Sequence, residues 1–104
     1  MTYCVVVSTT SNIEEAKHIA RGLVKNKLAA CTNIINNVTS VYYWKDEVHE
    51  DAECVLFIKT QKALFDKVRD FIVENHSYTL PEVIMLPIET GLDRYLNWVK
   101  ENTL

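Results

Sequence analysis

Residues Cys31 to Thr60 read as one long two-stranded ribbon folded about a single turn. The first arm runs from Cys31 to Trp44, the turn falls at Lys45-Asp46, and the second arm returns from Glu47 to Thr60. At a rise of about 3.3 Å per residue, each arm extends roughly 45 Å. A helix that could cover a strand in a domain of this size reaches little more than half of that. The rest of the ribbon must be covered from outside the chain, most simply by another copy of it. The second arm agrees: it is polar from Glu47 to Glu53 and apolar only from Cys54 to Ile58, so its second half alone belongs to the home core. Asn36-Asn37 interrupts the alternation of the first arm, and because Asn tolerates unusual backbone angles, a bulge or bend is expected there.

The remaining elements follow from periodicity. Tyr3 to Thr9 is a β-branched apolar run, read as a buried strand. Ser11 and Glu14 have capping-box spacing ahead of a helix that sets Ile13, Ala16, Ile19, Ala20, Leu23 and Val24 on one stripe. Thr60 stands where it could cap a second helix with Leu64, Phe65, Val68, Phe71 and Ile72 inward. Glu82 to Glu89 reads as a fourth strand, with Pro87 placing it at an edge, a bulge or a strand end. A short last helix opens at Thr90-Gly91-Leu92-Asp93. The order β-α-β-β-α-β plus a C-terminal helix predicts an α+β fold, the ferredoxin-like arrangement of two right-handed crossovers sharing one antiparallel sheet, with a long hairpin between its second and third strands.

A length of 104 residues allows one domain, spanning 1–104. A chain this short buries a modest core, so an interface would add usefully to it. The net charge is −3 and the basic residues are scattered among acids, which argues against nucleic acid as a partner. No apolar stretch is long enough to cross a bilayer, and the start of the chain lacks a secretory pattern. Cys4, Cys31 and Cys54 are an odd number without close spacing, which suits buried thiols in a reducing cytoplasm rather than a disulfide frame.

Five segments together resemble the CutA divalent-cation tolerance family: Leu28-Ala-Ala-Cys31-Thr-Asn33-Ile-Ile, Thr39-Ser-Val-Tyr-Tyr-Trp44-Lys, Ile58-Lys59-Thr60, His76-x-Tyr78-x-x-Pro81-Glu82 and Tyr95-Leu-Asn-Trp98. The resemblance covers essentially the whole chain. It implies a ferredoxin-like subunit of a tight homotrimer, with the long hairpins packed on neighbouring sheets and ligand clefts between subunits. It also implies a role in tolerance of copper and other divalent metals, and a similarity in fold to the trimeric PII signalling proteins. Two departures stand out. Ser77 occupies a position where the family usually has proline, and the copper-binding set of a cysteine and two adjacent histidines is matched by Ser8, Asn75 and His76, so that only His76 remains of it.

Several side chains invite a chemical reading. His76 is a sensible metal ligand, and equally a histidine closing the second helix against its last carbonyls. Cys31 could offer a thiolate to copper or zinc, but no second Cys or His lies at ligand spacing, which favours packing. His49, Asp51 and Glu53 share a strand face, yet His49 and Glu53 stand about 13 Å apart on a straight strand, too far for one ion. Lys59, Tyr78 and Glu82 are expected to converge, holding a small anion or forming a structural ion pair. Tyr42, Tyr43 and Trp44 at the ribbon end, with Tyr95 and Trp98, suit subunit packing. No serine elbow, phosphate loop or catalytic set occurs, so an enzyme is not expected. The function read from the sequence is divalent-metal tolerance through ligand binding at an inter-subunit cleft, with Cu²⁺ or another divalent cation as the candidate ligand. The alternatives are a PII-like small-molecule sensor and a structural trimer without a specific ligand.

Overall fold

The computed structural model describes residues 2–104. Its elements are β1 (Tyr3–Thr10), α1 (Ile13–Lys25), β2 (Cys31–Trp44), β3 (Glu47–Gln61), a 3-10 turn (Lys62–Leu64), α2 (Phe65–Asn75), β4 (Ile84–Pro87) and α3 (Asp93–Glu101). The four strands form one sheet in the order β2-β3-β1-β4, and every neighbouring pair is antiparallel. This is the expected ferredoxin-like α+β arrangement. The hairpin of β2 and β3 is the longest object in the molecule, whose greatest dimension is 45 Å.

Alternation along the strands divides the sheet into two faces. Cys4, Val6, Cys54, Leu56 and Ile58 point to the helices and are buried with Ala16, Ile19 and Leu23 of α1 and Val68 and Ile72 of α2. Burial on β3 begins at Cys54, as the switch from polar to apolar residues requires. The opposite face carries Val5 and Val7 of β1, Val55 and Phe57 of β3, Ile35 of β2, and Ile84 and Leu86 of β4. Register pairing aligns them in rows, Asn33–Phe57–Val7–Ile84 and Cys31–Lys59–Val5–Leu86. No helix layer buries this second face: Ile35, Ile84 and Leu86 each keep about half of their surface exposed, at 49%, 50% and 51%.

Helix ends differ in detail from the sequence expectation. The cap of α1 is Asn12, not Ser11: the Asn12 side chain accepts from the Glu15 backbone N–H at 2.8 Å. Val24, expected on the buried stripe, is 42% exposed. At the other end, Lys27 N–H bonds Val24 O and Leu28 N–H bonds Leu23 O, a Schellman motif with Lys27 in the left-handed conformation usually given to glycine. Gly22 lies where the Phe71 ring of α2 meets α1, and a Cβ there would come within 2.3 Å of it, so the close helix approach needs this residue. Thr60 does not cap a helix. It is a buried β3 residue paired with Cys4, and its hydroxyl donates to Leu28 O at 2.6 Å. The fourth strand is shorter than expected, four residues ending at Pro87. The chain end closes over β3: Gln61 Nε2 donates to Thr103 Oγ1 at 2.6 Å, and Leu104 N–H bonds Lys27 O.

The bulge expected at Asn36-Asn37 is present. Ile35 pairs with Val55, but Val38 pairs with Glu53, so β2 carries one extra residue between them. Asn37 has φ 58°, and Asn36 Oδ1 accepts from both the Asn37 N–H and the Cys54 thiol. An extra residue in a period-two chain exchanges the faces. Before the bulge, odd-numbered Ile35 faces the open side; beyond it, Val38, Ser40, Tyr42 and Trp44 do, opposite Glu53, Asp51, His49 and Glu47. The bulge therefore aims Tyr42 and Trp44 at the open side of the sheet.

Candidate functional site

Where the open face meets the outer hairpin there is a groove of about 570 Å³. Thr9 of β1, Ser40 to Tyr42 and Trp44 of β2, Glu53 of β3, and the loop after α2 (Tyr78 to Leu80 and Glu82) line it. Its position follows from the bulge, which supplies the β2 wall, and from the loop, which crosses back to the end of β1.

Two hydrogen-bonded anchors hold that loop. His76 donates Nε2–H to Thr9 O at 2.7 Å and accepts at Nδ1 from the Tyr78 N–H at 3.0 Å. Donation at one nitrogen and acceptance at the other is the pattern of a neutral imidazole. Its ring also lies 4.7 Å, centroid to centroid, from that of Tyr78. The second anchor is Glu15 of α1, whose carboxylate accepts from the Ser77 N–H at 2.8 Å and from the Ser77 hydroxyl at 3.1 Å. A proline at position 77 would have neither donor, so this anchor depends on Ser77.

Tyr78 then reaches into the groove and donates its hydroxyl to Glu53 Oε2 at 2.7 Å. Burial raises its pKa well above the ordinary tyrosine value, and the hydrogen bond to Glu53 adds to the shift. On the opposite wall Tyr42 donates to Asp51, a bond that raises the Tyr42 pKa, and its ring stacks on His49 at 5.4 Å. The two phenols and two carboxylates thus form a ladder under the hairpin.

The residues singled out in the sequence fall into two groups. His76, Tyr78 and Glu82 belong to the groove or its loop, and Glu53 joins them as the partner of Tyr78. Lys59 does not converge with them in one chain. It stands six residues along β3 from Glu53, about 20 Å away, paired with Cys31 and donating its amine to Asn33 Oδ1. Tyr95 sits at that same end, its pKa raised by burial and then by Cys31. Cys31 lies two strands across and four residues along from the Thr9 carbonyl that His76 holds, about 16 Å. Cys31 and His76 of one chain therefore cannot share an ion. Both His76 nitrogens are engaged, and among the described residues no three His, Cys, Asp or Glu side chains form a set able to hold a metal. The donor set of a single chain does not fit a resident metal centre. Ser8 is buried with an unpartnered hydroxyl. Thr9, Ser40 and Trp44 were not legible as groove residues, because only the register and the bulge bring them together.

The family model described as CutA1 divalent ion tolerance protein matches residues 4–102. The chain belongs to that family. It is 44% identical over 99 residues to the divalent-cation tolerance protein CutA of Thermus thermophilus, covering 95% of this chain and 96% of that one. Identity is also 44% with the chloroplastic protein CutA of Arabidopsis thaliana, but there the chain spans only 54% of the relative's length. Among solved structures, CutA1 from Oryza sativa superposes with a TM-score of 0.97 at 42% identity, covering 100% of this chain and 95% of that one. The Archaeoglobus fulgidus structure, described as periplasmic, gives 0.94 at 36% identity, covering 96% and 97%. No helix among the described residues is long and apolar enough to cross a membrane.

Proposed function

We propose that this CutA1-family chain is a non-enzymatic, cytoplasmic homotrimer serving tolerance of divalent metal ions, copper among them, and that its ligand cleft is the groove beside Tyr78, Glu53 and Glu82. The observation that carries this is the open sheet face. It carries apolar side chains on all four strands, it is continuous with the groove through Thr9, Val55 and Glu53, and the hairpin projects beyond the helices that could cover it. A neighbouring copy seated there buries the half-exposed Ile35, Ile84 and Leu86 and turns the groove into a cleft shared by two subunits. Lys59, remote from Tyr78 in its own chain, reaches such a cleft only from a second copy.

Sedimentation of the purified protein tests the assembly, with three times the 12.0 kDa chain mass expected. A well-folded monomer at micromolar concentration overturns the shared cleft. Calorimetric titration with Cu²⁺ and with Zn²⁺, comparing wild type and His76→Ala, tests the metal. Because backbone groups hold both imidazole nitrogens, equal heats in the two proteins are expected. Heat lost in the variant places a metal on His76.

A further inference from the structure

We propose that His76 is a proton-operated latch: neutral, it holds the strap from Ser77 to Glu82 against the end of β1, and protonated, it lets Tyr78 go. All of its bonds lie within one chain, so the latch does not rest on the shared cleft. Where that cleft forms, the strap is one of its walls.

The bonding partners decide the charge. Thr9 O can only accept and the Tyr78 N–H can only donate, so Nε2 must carry a proton and Nδ1 must not. An imidazolium donates at both nitrogens. Its second proton would meet the Tyr78 N–H across 3.0 Å, donor against donor. Nε2 would keep Thr9 O, so protonation leaves the ring on β1 and severs the strap from it. The severed bond is partly buried, and a donor left there without an acceptor costs more than one left in water. Tyr78 carries its phenol to Glu53 only while its backbone is held, so the tie across the groove loosens with the latch.

The surroundings give an imidazolium somewhere else to turn. From α1 comes Glu15, bonded to Ser77 next in the chain. From β3 comes Glu53, bonded to the hydroxyl of Tyr78, whose ring lies 4.7 Å from that of His76. Thr9 and Thr10 of β1 bring no charge, Glu74 of α2 is exposed, and Tyr42 of β2 stands beyond Tyr78. Both carboxylates attract a protonated ring and become its alternative partners, in competition with the strap residues they hold. Lys59, where a second copy brings it into the cleft, opposes the imidazolium. The neutral latch makes one bond more than the protonated one. Protection of the strap is therefore complete above the range in which imidazole changes charge, about pH 5 to 8, and is lost as pH falls through it.

The test is hydrogen exchange of the Tyr78 amide in the full chain, corrected for intrinsic rates, at about pH 7.5 and about pH 5.5. The wild type should lose about tenfold in protection over that interval, the scale of one partly buried hydrogen bond. His76→Gln, which does not titrate, should show no such change, while His18→Gln and His49→Gln should keep it. Protection that stays constant in the wild type, or that falls equally in His76→Gln, overturns the latch. Nitrogen NMR of the wild-type imidazoles reads the same event without a substitution. Nδ1 of His76 must gain its proton over the pH interval in which Tyr78 loses protection, and two separate intervals overturn the proposal. Sedimentation at both pH values keeps latch and assembly apart. A folded monomer that still shows the His76-dependent loss ends the shared cleft and leaves the latch standing, and a trimer without that loss does the reverse.

Discussion

Tyr78 is the residue on which the groove's geometry turns, since it joins the loop after α2 to β3 through a single hydroxyl. Its pKa is raised by burial and then by Glu53, which means that the fold holds the neutral phenol in preference to the phenolate. A raised folded-state pKa contributes stability that is complete below the unfolded value near 10 and is lost as pH climbs through the higher folded value. Relative to Tyr78→Phe, the wild type should thus be more stable by about 1 kcal/mol at pH 8, a figure kept low because the ring is only half-buried. That advantage should hold to pH 10 and shrink above it. Urea midpoints of the two proteins between pH 8 and alkaline conditions check this, and a constant gap across pH 10 would mean the phenol is not held neutral by its surroundings. His76, by contrast, works on the backbone: its two nitrogens tie Thr9 to Tyr78 and hold the aromatic ring where Glu53 can meet it.

The hairpin is the element that departs furthest from an ordinary ferredoxin-like sheet. Its turn is two residues long, with Trp44 paired to Glu47 and both Lys45 (φ 50°) and Asp46 (φ 64°) left-handed. Such a turn matches the strand twist, but it favours Asn-Gly, and an ordinary side chain there costs about 1–2 kcal/mol. Replacing Lys45-Asp46 by Asn-Gly should stabilise the protein by about 1 kcal/mol, since Asp tolerates the conformation better than most. The check is a higher urea midpoint at unchanged slope and fixed protein concentration; an unchanged or lower midpoint would mean that Lys45 or Asp46 makes a contact beyond its own turn. Much of this element was legible beforehand: its length, its turn, the Asn36-Asn37 bulge and the burial that starts at Cys54 all follow from local pattern. Other features depended on pairing, which local pattern does not carry. Thr60 looked like a cap because it precedes a helical stripe, yet pairing with Cys4 draws it into β3. Ser11 and Asn12 are equally good caps, each with a glutamate three residues on, and only Asn12 is used. Lys59 and Tyr78 looked able to converge because one ends a strand and the other precedes the next, whereas the register sets them at opposite ends of the sheet. Of the site, Tyr78 and Glu82 were visible in the sequence, and the face exchange that brings in Trp44 was not.

At the scale of the whole molecule, one face of the sheet has its helices and the other has none. A single subunit leaves Ile35, Ile84 and Leu86 about half exposed on that open face. Burying the remaining half of each of those three aliphatic side chains stabilises by about 1 kcal/mol apiece, and in a homotrimer each gain occurs three times. Because association favours only the folded state, the melting temperature of the wild type should rise by a few degrees for each tenfold increase in protein concentration. Ile84→Lys places a charge at the β4 end of the row Asn33–Phe57–Val7–Ile84 while leaving the helix-facing core untouched. That variant should sediment as a smaller species, melt several degrees lower and lose the dependence on concentration. The pairing of the two readouts matters, because a substitution that only loosened the subunit would lower the melting temperature and keep the dependence. A wild-type melting temperature constant over about a hundredfold range of concentration would show that the open face is tolerated in water, and the shared cleft would then have no assembly to form it.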